Sequence, residues 1–525
     1  MPRTGNTRGK RTARRRGSSS RVGLPEALLD PRCYGPGVES VRLVETHVSW
    51  VFLTGRHAYK VKKPVKLPFV DFSTLKLRKH FCEEELRVNR RLAPELYLGV
   101  VPIGGTVEAP RIGRAPAFEY AVEMREFPAD ARLDRRLEAN GVPREAAAEL
   151  GARLAKFHGG LPPIRGVASA ETAATAQSNV EELAALMPAQ RRNEIAALRA
   201  WTERRCRTLL PIFERRAAAG AHRECHGDLH LQNLLWRDGK IVAFDALEFD
   251  RKLRDIDVIS EAAFLAMDLR AHGRTDLAYE FLNRYLEVSG DYGGADVLGF
   301  YLVYRALVRA KVAAIKRAQS AADDHGVERY LATGLDLTAP KTPLLVITHG
   351  LSGSGKSHVC AELVSRLPAL RVRSDVERKR LHGLEASARS SSQVGAGLYT
   401  AAATRRTYGA LAEIADSLLR NGETALVDAA FLARRERLEF RQVAASNAAG
   451  FAILDCTASR RELERRIRAR ASAGRDASEA DLAVLEHQLR TAEPLDRAER
   501  RQAITVDTER NIEYAKLAAR LRAAA

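Results

Sequence analysis

Apolar positions in the second half of this chain come as short unbroken runs separated by long segments of helical period. The runs are LLVITH (344–349), LRVRSD (370–375), TALVDAAF (424–431), FAILDCTA (451–458) and AITVDT (503–508). Each is short enough for a buried strand, and the segments between them repeat apolar residues at three- and four-residue spacing. Such alternation predicts a parallel sheet covered by helices on both faces. The first half reads differently. Between about 40 and 125, the β-branched stretches SVRLVETHVSWVFLT, HAYKVKK, VVPIGG and AFEYAVEM predict a small sheet, interrupted by one helix over TLKLRKHFCEEELRVNRRLAP (74–94). From about 143 to 220 the pattern is helical, with breaks at Gly159-Gly160 and Pro162-Pro163, and further helices run to about 320. A turn-rich stretch then marks a boundary near 335–342.

Length and charge refine this picture little. A chain of 525 residues implies two to four domains by its length. Residues 1–22 hold eight Arg and Lys and no acid, which predicts a disordered basic arm. No apolar segment follows it, so it does not read as a secretory leader, and the expected location is the cytoplasm. The longest apolar run, VLGFYLV (297–303), falls short of the about 18 residues that cross a bilayer. The net charge of +19 lies partly in the arm and partly in Arg-rich helices, and no nucleic-acid-reading motif accompanies it. A nucleic-acid partner is therefore not the favoured reading. The six cysteines are scattered without a C-x-x-C pair, which speaks against a disulfide framework or structural zinc.

The chemistry is concentrated in two places. HGLSGSGKSHV (349–359) follows a predicted strand and opens a predicted helix, and it fits G-x-x-x-x-G-K-[ST]. Gly350, Ser352, Gly353, Ser354 and Gly355 would wrap backbone N–H groups around a phosphate at a helix N-terminus. Lys356 would neutralise the β and γ phosphates, and the Ser357 hydroxyl would ligate Mg²⁺ of bound ATP. Asp428 at a strand end is the candidate second metal carboxylate, against the plainer reading of a turn cap. Asp375 is the candidate general base, against a capping box formed by Ser374 and Glu377. Arg465, Arg468, Arg470 and Arg475 stand around the Gly474 break, and Arg468 and Arg475 foremost are candidate phosphate ligands on a lid, against an ordinary solvated helix.

The other place is ECHGDLHLQNLLW (224–236). Asn233 lies five residues after Asp228, and Asp245 lies twelve after Asn233, beyond the apolar run KIVAF. This is the layout of a kinase catalytic segment: one carboxylate faces the acceptor hydroxyl while an amide and a second carboxylate grip Mg²⁺. Such a site needs a strand lysine, for which Lys60 is the candidate, and a helix glutamate, Glu85 with Glu84 as the substitute. Backbone near Met124, in the last strand, would meet adenine. The competing reading, metal ligation by His226 and His230, lacks a companion cluster.

The P-loop, the RSD…RK segment and the Arg-rich lid resemble the small-molecule kinase branch of P-loop proteins, over roughly 343–525. The H-G-D marker, with YKVKKPV, FVDFSTL, HGDLHLQN and FLAMDL, resembles the aminoglycoside phosphotransferase-like, or choline kinase-like, branch of the kinase fold, over roughly 35–320. The whole chain is similar to two-domain proteins that fuse these parts. The resemblance implies an α+β kinase-like domain at 23–335, with a small antiparallel sheet and a helical lobe, a linker at 336–342, and an α/β P-loop domain at 343–525. It also implies Asp228 as catalytic base, Asn233 and Asp245 as metal ligands, and Lys60 on the α and β phosphates. Two departures stand out. No glycine-rich loop precedes Lys60, only Gly55, and no acidic cluster suits an aminoglycoside. The expected function is ATP-dependent transfer to a small-molecule hydroxyl. An ATP-driven regulator and a nucleic-acid-associated NTPase are the alternatives.

Overall fold

The structure, a computed structural model, describes residues 23–524 apart from 68–69, 140, 167–168, 320–324, 387, 389–397, 399 and 474–479. The basic arm and Arg475 thus lie outside the described residues. The chain forms two compact units, divided between Phe127 and Pro128.

The first unit is an antiparallel sheet of six strands. In spatial order they are Arg42–Glu45, Ser49–Leu53, His57–Lys62, Ala117–Arg125, Tyr97–Gly105 and Pro110–Ile112. The strand His57–Lys62 shows why the sequence builds this layer. Its period of two sends Tyr59 and Val61 into a core with Phe52, Ile103 and Ala121, and turns Lys60 and Lys62 to the opposite face. There they meet the helix Leu75–Asn89, which starts at Thr74, whose side chain caps Leu77 N–H. The predicted sheet and its single interrupting helix are both present.

The second unit contains helices, a short antiparallel hairpin and a parallel sheet. Helices Arg144–Gly160 and Thr275–Ser289 pack so closely that a Cβ at Gly151 would lie 2.4 Å from the Phe281 carbonyl oxygen. The last helix before the second sheet, Gly326–Thr338, ends within the stretch 335–342. The sheet has the order Ala369–Arg373, Thr424–Asp428, Leu344–His349, Gly450–Thr457, Ala503–Asp507, and every pairing is parallel. Leu344, Val346, Leu426 and Leu454 pack with Val359 and Leu363 of the following helix and with Leu517 and Leu521 near the end of the chain. All six cysteines are free and buried. Among the described residues, no helix is long and apolar enough to cross a membrane.

A partly buried carboxylate at a helix–helix contact yields a testable consequence. Burial pushes Glu280 up to about 7, with Arg144 at 3.6 Å opposing and Glu362, Glu145 and Asp276 adding to the rise. The folded state therefore holds this proton more tightly than the unfolded chain, and stability falls as pH rises from about 4.5 through 7. Glu280→Gln should raise stability by about 1–2 kcal/mol at pH 8 and leave it unchanged at pH 4. Thermal melts at the two pH values check this.

Candidate functional sites

In the first unit, Glu85 is fully buried and receives two ammonium groups, Lys60 at 2.8 Å and Lys62 at 2.5 Å. Burial alone would push this carboxyl up, but the two lysines outweigh it and hold it below the usual carboxylate range. Lys60 and Glu85 thus meet as expected, while Glu84 pairs with Arg87 on the helix surface. Lys62 was not anticipated, although it lies two residues from Lys60 on the same strand face. Removing Glu85 would take from two ammonium groups the buried carboxylate they share, so Glu85→Ala should cost about 3–5 kcal/mol. Denaturant unfolding checks this, with Glu85→Gln expected to lose less.

The strand of Met124 is flanked on both sides, with Ala58 and Tyr97 opposite Met124, so its backbone is committed to the sheet. The ladder continues through Arg125 N–H to Leu96 and Glu126 N–H to Arg56, and the chain leaves the sheet only after these residues. An adenine edge would therefore have to be met further along the chain than Met124. The turn before Lys60 is Thr54-Gly55-Arg56, with Gly55 at φ +89°, and its Gly55 N–H donates to Glu126 Oε2 at 2.7 Å. That amide is thereby engaged by the protein itself.

In the second unit, the segment 225–233 links the strand His222–Glu224 to the hairpin Leu234–Arg237 and Lys240–Ala243. Gly227 has φ +87°, and a Cβ there would lie 2.9 Å from the Leu253 carbonyl oxygen, so only glycine fits between His226 and Asp228. His226 is fully buried. Its Nε2–H donates to the Phe244 carbonyl at 2.9 Å, and Nδ1 accepts from Asp228 N–H at 3.3 Å. Burial keeps its pKa down, so this neutral form ties the loop to the segment carrying Asp245. Asp245 itself lies two residues beyond the strand, at φ +59°, a backbone strain typical of functional positions.

Asp228 is held from two sides. Asn233 Nδ2 donates to its Oδ2 at 2.9 Å and to its carbonyl at 3.0 Å, and His230 Nε2 stands 3.2 Å from Oδ2. Arg309 lies 3.0 Å from the same His230 nitrogen. Burial raises the Asp228 pKa, but His230 and Arg309 outweigh it and hold the carboxyl far below its ordinary range. The amide of Asn233 therefore turns its nitrogen to the base and leaves its oxygen as the atom suited to a cation. Two buried carboxylates brace the loop from behind. Glu261 accepts His226 N–H at 2.6 Å, Gly227 N–H at 2.8 Å and His158 Nε2 at 2.7 Å, and Asp268 accepts Leu231 N–H at 2.8 Å. His230, Arg309, Glu261 and Asp268 are the functional neighbours that sequence reasoning missed. Among the described residues, the ligand-type atoms that cluster within 4.8 Å belong to His158, Cys225 and Glu261, a group without His226 or His230.

The P-loop joins the central strand Leu344–His349 to the helix Lys356–Leu363. A Cβ at Gly350 would lie 2.4 Å from the Cys456 carbonyl oxygen, and one at Gly353 would lie 2.8 Å from that of Leu463. Both glycines also have positive φ, so the motif reflects contact as well as conformation. Lys356 Nζ donates to the Gly350 and Leu351 carbonyls, each at 2.8 Å, and burial lowers its pKa. Ser352 N–H donates to Gln488 Oε1 at 2.8 Å, and Ser354 is buried in the turn. Ser357 Oγ–H donates to Asp428 Oδ1 at 3.2 Å. Hydroxyl and carboxylate oxygens side by side are the hard donors that Mg²⁺ takes.

These groups open on a cavity of about 700 Å³, which Gly353, Gly355, Lys356, Ser357, Asp375 and Asp428 help to line. The strand before Asp375 ends at Arg373, so Asp375 sits in the first turn of the helix Ser374–Leu381 rather than at a strand end. Arg373 is the N-cap and makes no side-chain cap bond, so the capping box expected from Ser374 does not form. On the helix Arg460–Ala473, Arg466 and Arg470 line the cavity. Arg468 is absent from that wall; it lies about 200° around the helix from Arg466, largely exposed, with Glu464 at 3.4 Å. Of the arginines expected on this helix, Arg470 thus lies on the wall and Arg468 does not, while Arg466 was not anticipated.

Residues 74–298 match the model of the phosphotransferase enzyme family, and residues 345–495 match that of an AAA domain. The fold and these matches define an enzyme of the phosphotransferase class, with a kinase-like segment followed by a P-loop kinase-like segment. Uncharacterized proteins of Mycobacterium tuberculosis and Mycobacterium bovis are 31% identical to it over 477 residues, 86% of this chain and 93% of theirs. The chain belongs to one family with these mycobacterial proteins. Among solved structures, a gluconokinase from Sinorhizobium meliloti 1021 is 23% identical, covering 35% of this chain and 95% of its own, with a TM-score of 0.26. A choline/ethanolamine kinase family protein from Mesorhizobium loti is 13% identical, covering 58% and 90%, with a TM-score of 0.36.

Proposed function

We propose that this protein is an ATP-dependent phosphotransferase with two nucleotide sites, passing the γ-phosphate to a hydroxyl of a small molecule. The observation that carries the reading is the cavity that gathers Lys356, Ser357, Asp375 and Asp428 at the mouth of one helix. Lys356 and the N–H groups of 350–357 bind the phosphates. Asp375 orients the acceptor hydroxyl and takes its proton. Ser357 and Asp428 would hold Mg²⁺ there, and Asn233 and Asp245 would hold it in the kinase-like segment. Bound Mg²⁺ neutralises charge on the transferring phosphoryl group. In the kinase-like segment Asp228 is the base, and its low pKa keeps it ionised and ready to accept a hydrogen bond from the acceptor. Lys60, fixed by Glu85, meets the α and β phosphates. We assign these roles to domains at 23–335 and 343–525, joined by 336–342.

A metabolite-library screen for ATP consumption, run on wild type beside Lys356→Ala and Asp228→Ala, tests this. Acceptor-dependent consumption lost in one or both variants is expected. Acceptor-independent hydrolysis that survives Asp228→Ala and disappears with Lys356→Ala would favour the regulator instead. Absence of ATP binding would overturn both.

A further inference from the structure

The strand Ala369–Arg373 is the edge of the parallel sheet, and an edge leaves backbone N–H and C=O groups without a strand partner. Here a residue of the phosphotransferase segment takes that place. Asn283, on the helix Thr275–Ser289, donates from Nδ2 to the Ala369 carbonyl at 2.8 Å and accepts the Arg371 N–H on Oδ1 at 2.5 Å. Tyr292 Oη–H donates to the Arg371 carbonyl at 3.2 Å. Both backbone groups of Arg371 are thus held, the N–H by Asn283 and the carbonyl by Tyr292. Gly290, at φ +73°, keeps the approach open, because a Cβ there would lie 2.5 Å from Nε of Arg380.

The side chain of Arg371 points the other way, into the P-loop site. Its Nη2 donates to Asp428 Oδ2 and, at 3.0 Å, to the Ser357 carbonyl. Asp428 Oδ1 is left facing the Ser357 hydroxyl. Arg373 lies between Glu287 at 3.6 Å and Asp428 at 3.9 Å, so a second arginine repeats the arrangement. Three steps therefore lead from the helical lobe to the Ser357 hydroxyl: Asn283 and Tyr292 to the Arg371 backbone, the Arg371 guanidinium to Asp428, and Asp428 to Ser357.

We propose that Asn283 and Tyr292 are positioning residues of the P-loop site, fixing the Arg371 guanidinium that orients Asp428 toward Ser357 and the metal. The proposal rests on the reading that Asp428 serves Mg²⁺ in that site. It gives the phosphotransferase segment a role in P-loop chemistry that neither family match assigns, and it makes the two segments one functional unit. An isolated P-loop segment would lose the bracket on its edge strand.

The test is Mg²⁺ titration of the full chain with a fluorescent ADP analogue, reading the metal-dependent part of nucleotide binding. Asn283→Ala and Tyr292→Phe should each raise the half-saturating Mg²⁺ concentration, Asn283→Ala by about tenfold, as is common when a partner that orients a metal ligand is lost. Metal-free nucleotide binding should stay as in wild type. Asn283→Asp, which retains the acceptor for Arg371 N–H and loses the donor, should fall between. Tyr292→Phe removes one oxygen only and keeps the test open if Asn283→Ala does not fold. Wild-type Mg²⁺ dependence in Tyr292→Phe together with a folded Asn283→Ala or Asn283→Asp would overturn the proposal, as would equal losses with and without metal. Lys356→Ala separates the underlying reading: if it leaves nucleotide binding intact, the P-loop assignment itself fails, whatever the Asn283 variants do.

Discussion

Lys356→Ala should lower P-loop turnover by at least about 10²-fold and remove most of the nucleotide affinity of the P-loop site, leaving that of the kinase-like segment, while the protein keeps its melting temperature. The size follows from what this ammonium faces. The loop supplies dipoles through its N–H groups, but Lys356 is the full positive charge at its centre, in surroundings that exclude much of the water. Its present partners are two loop carbonyls at 2.8 Å, acceptors that a phosphate oxygen outcompetes by virtue of its charge. Burial already lowers the lysine pKa, so the unliganded protein pays to keep it charged and a polyanion relieves that cost. Alanine removes both the attraction and the cost, which is why stability should hardly move. Calorimetric titration with ATP analogues beside a thermal melt checks both halves. Equal affinity in wild type and variant would show that the cavity does not bind phosphate through this loop.

The legible parts of this molecule were those in which function constrains neighbours in sequence. The P-loop was readable because its glycines are demanded locally, by positive φ and by close backbone approach at Gly350 and Gly353. The pairing of Lys60 with Glu85 was readable from a strand and a helix with clear periods. The parallel sheet was readable from its apolar runs, although its spatial order was not. What stayed hidden depends on residues brought together from far along the chain. Arg309 reaches His230 across 79 positions, and Arg371 reaches Asp428 across 57. No local pattern distinguishes these arginines from the many that merely solvate helices. Lys62 and Arg466, one helical turn before the anticipated Arg470, are a different kind of miss. Both follow from phase, two residues along a strand and four along a helix, once the buried face is known. The strand of Met124 was readable as a strand from its composition, but its place in the middle of the sheet was not.

Asp228→Asn should reduce transfer in the kinase-like segment by about 10²–10⁴-fold, the usual worth of a positioned general base, and leave P-loop hydrolysis unchanged. The substitution keeps the shape and an acceptor for Asn233 Nδ2, so the loop braced by Glu261 and Asp268 should remain in place. What it removes is charge. His230 and Arg309 hold the Asp228 carboxyl far below its ordinary range, so the wild-type base stays ionised throughout the mildly acidic region. The pH profile of wild-type transfer should accordingly show no acid limb from this group near pH 4, and any such limb belongs to another residue. The sign for stability runs the same way. A folded-state pKa below the unfolded value adds stability above about pH 4 and loses it as pH falls through the folded value. Arg309→Met tests the link between the two effects. Without that cation the carboxyl should titrate higher, so an acid limb should enter the profile while Asp228 remains. Measuring transfer from pH 4 to 8 in wild type, Asp228→Asn and Arg309→Met distinguishes these cases, and an unaltered rate in Asp228→Asn would remove Asp228 from the reaction.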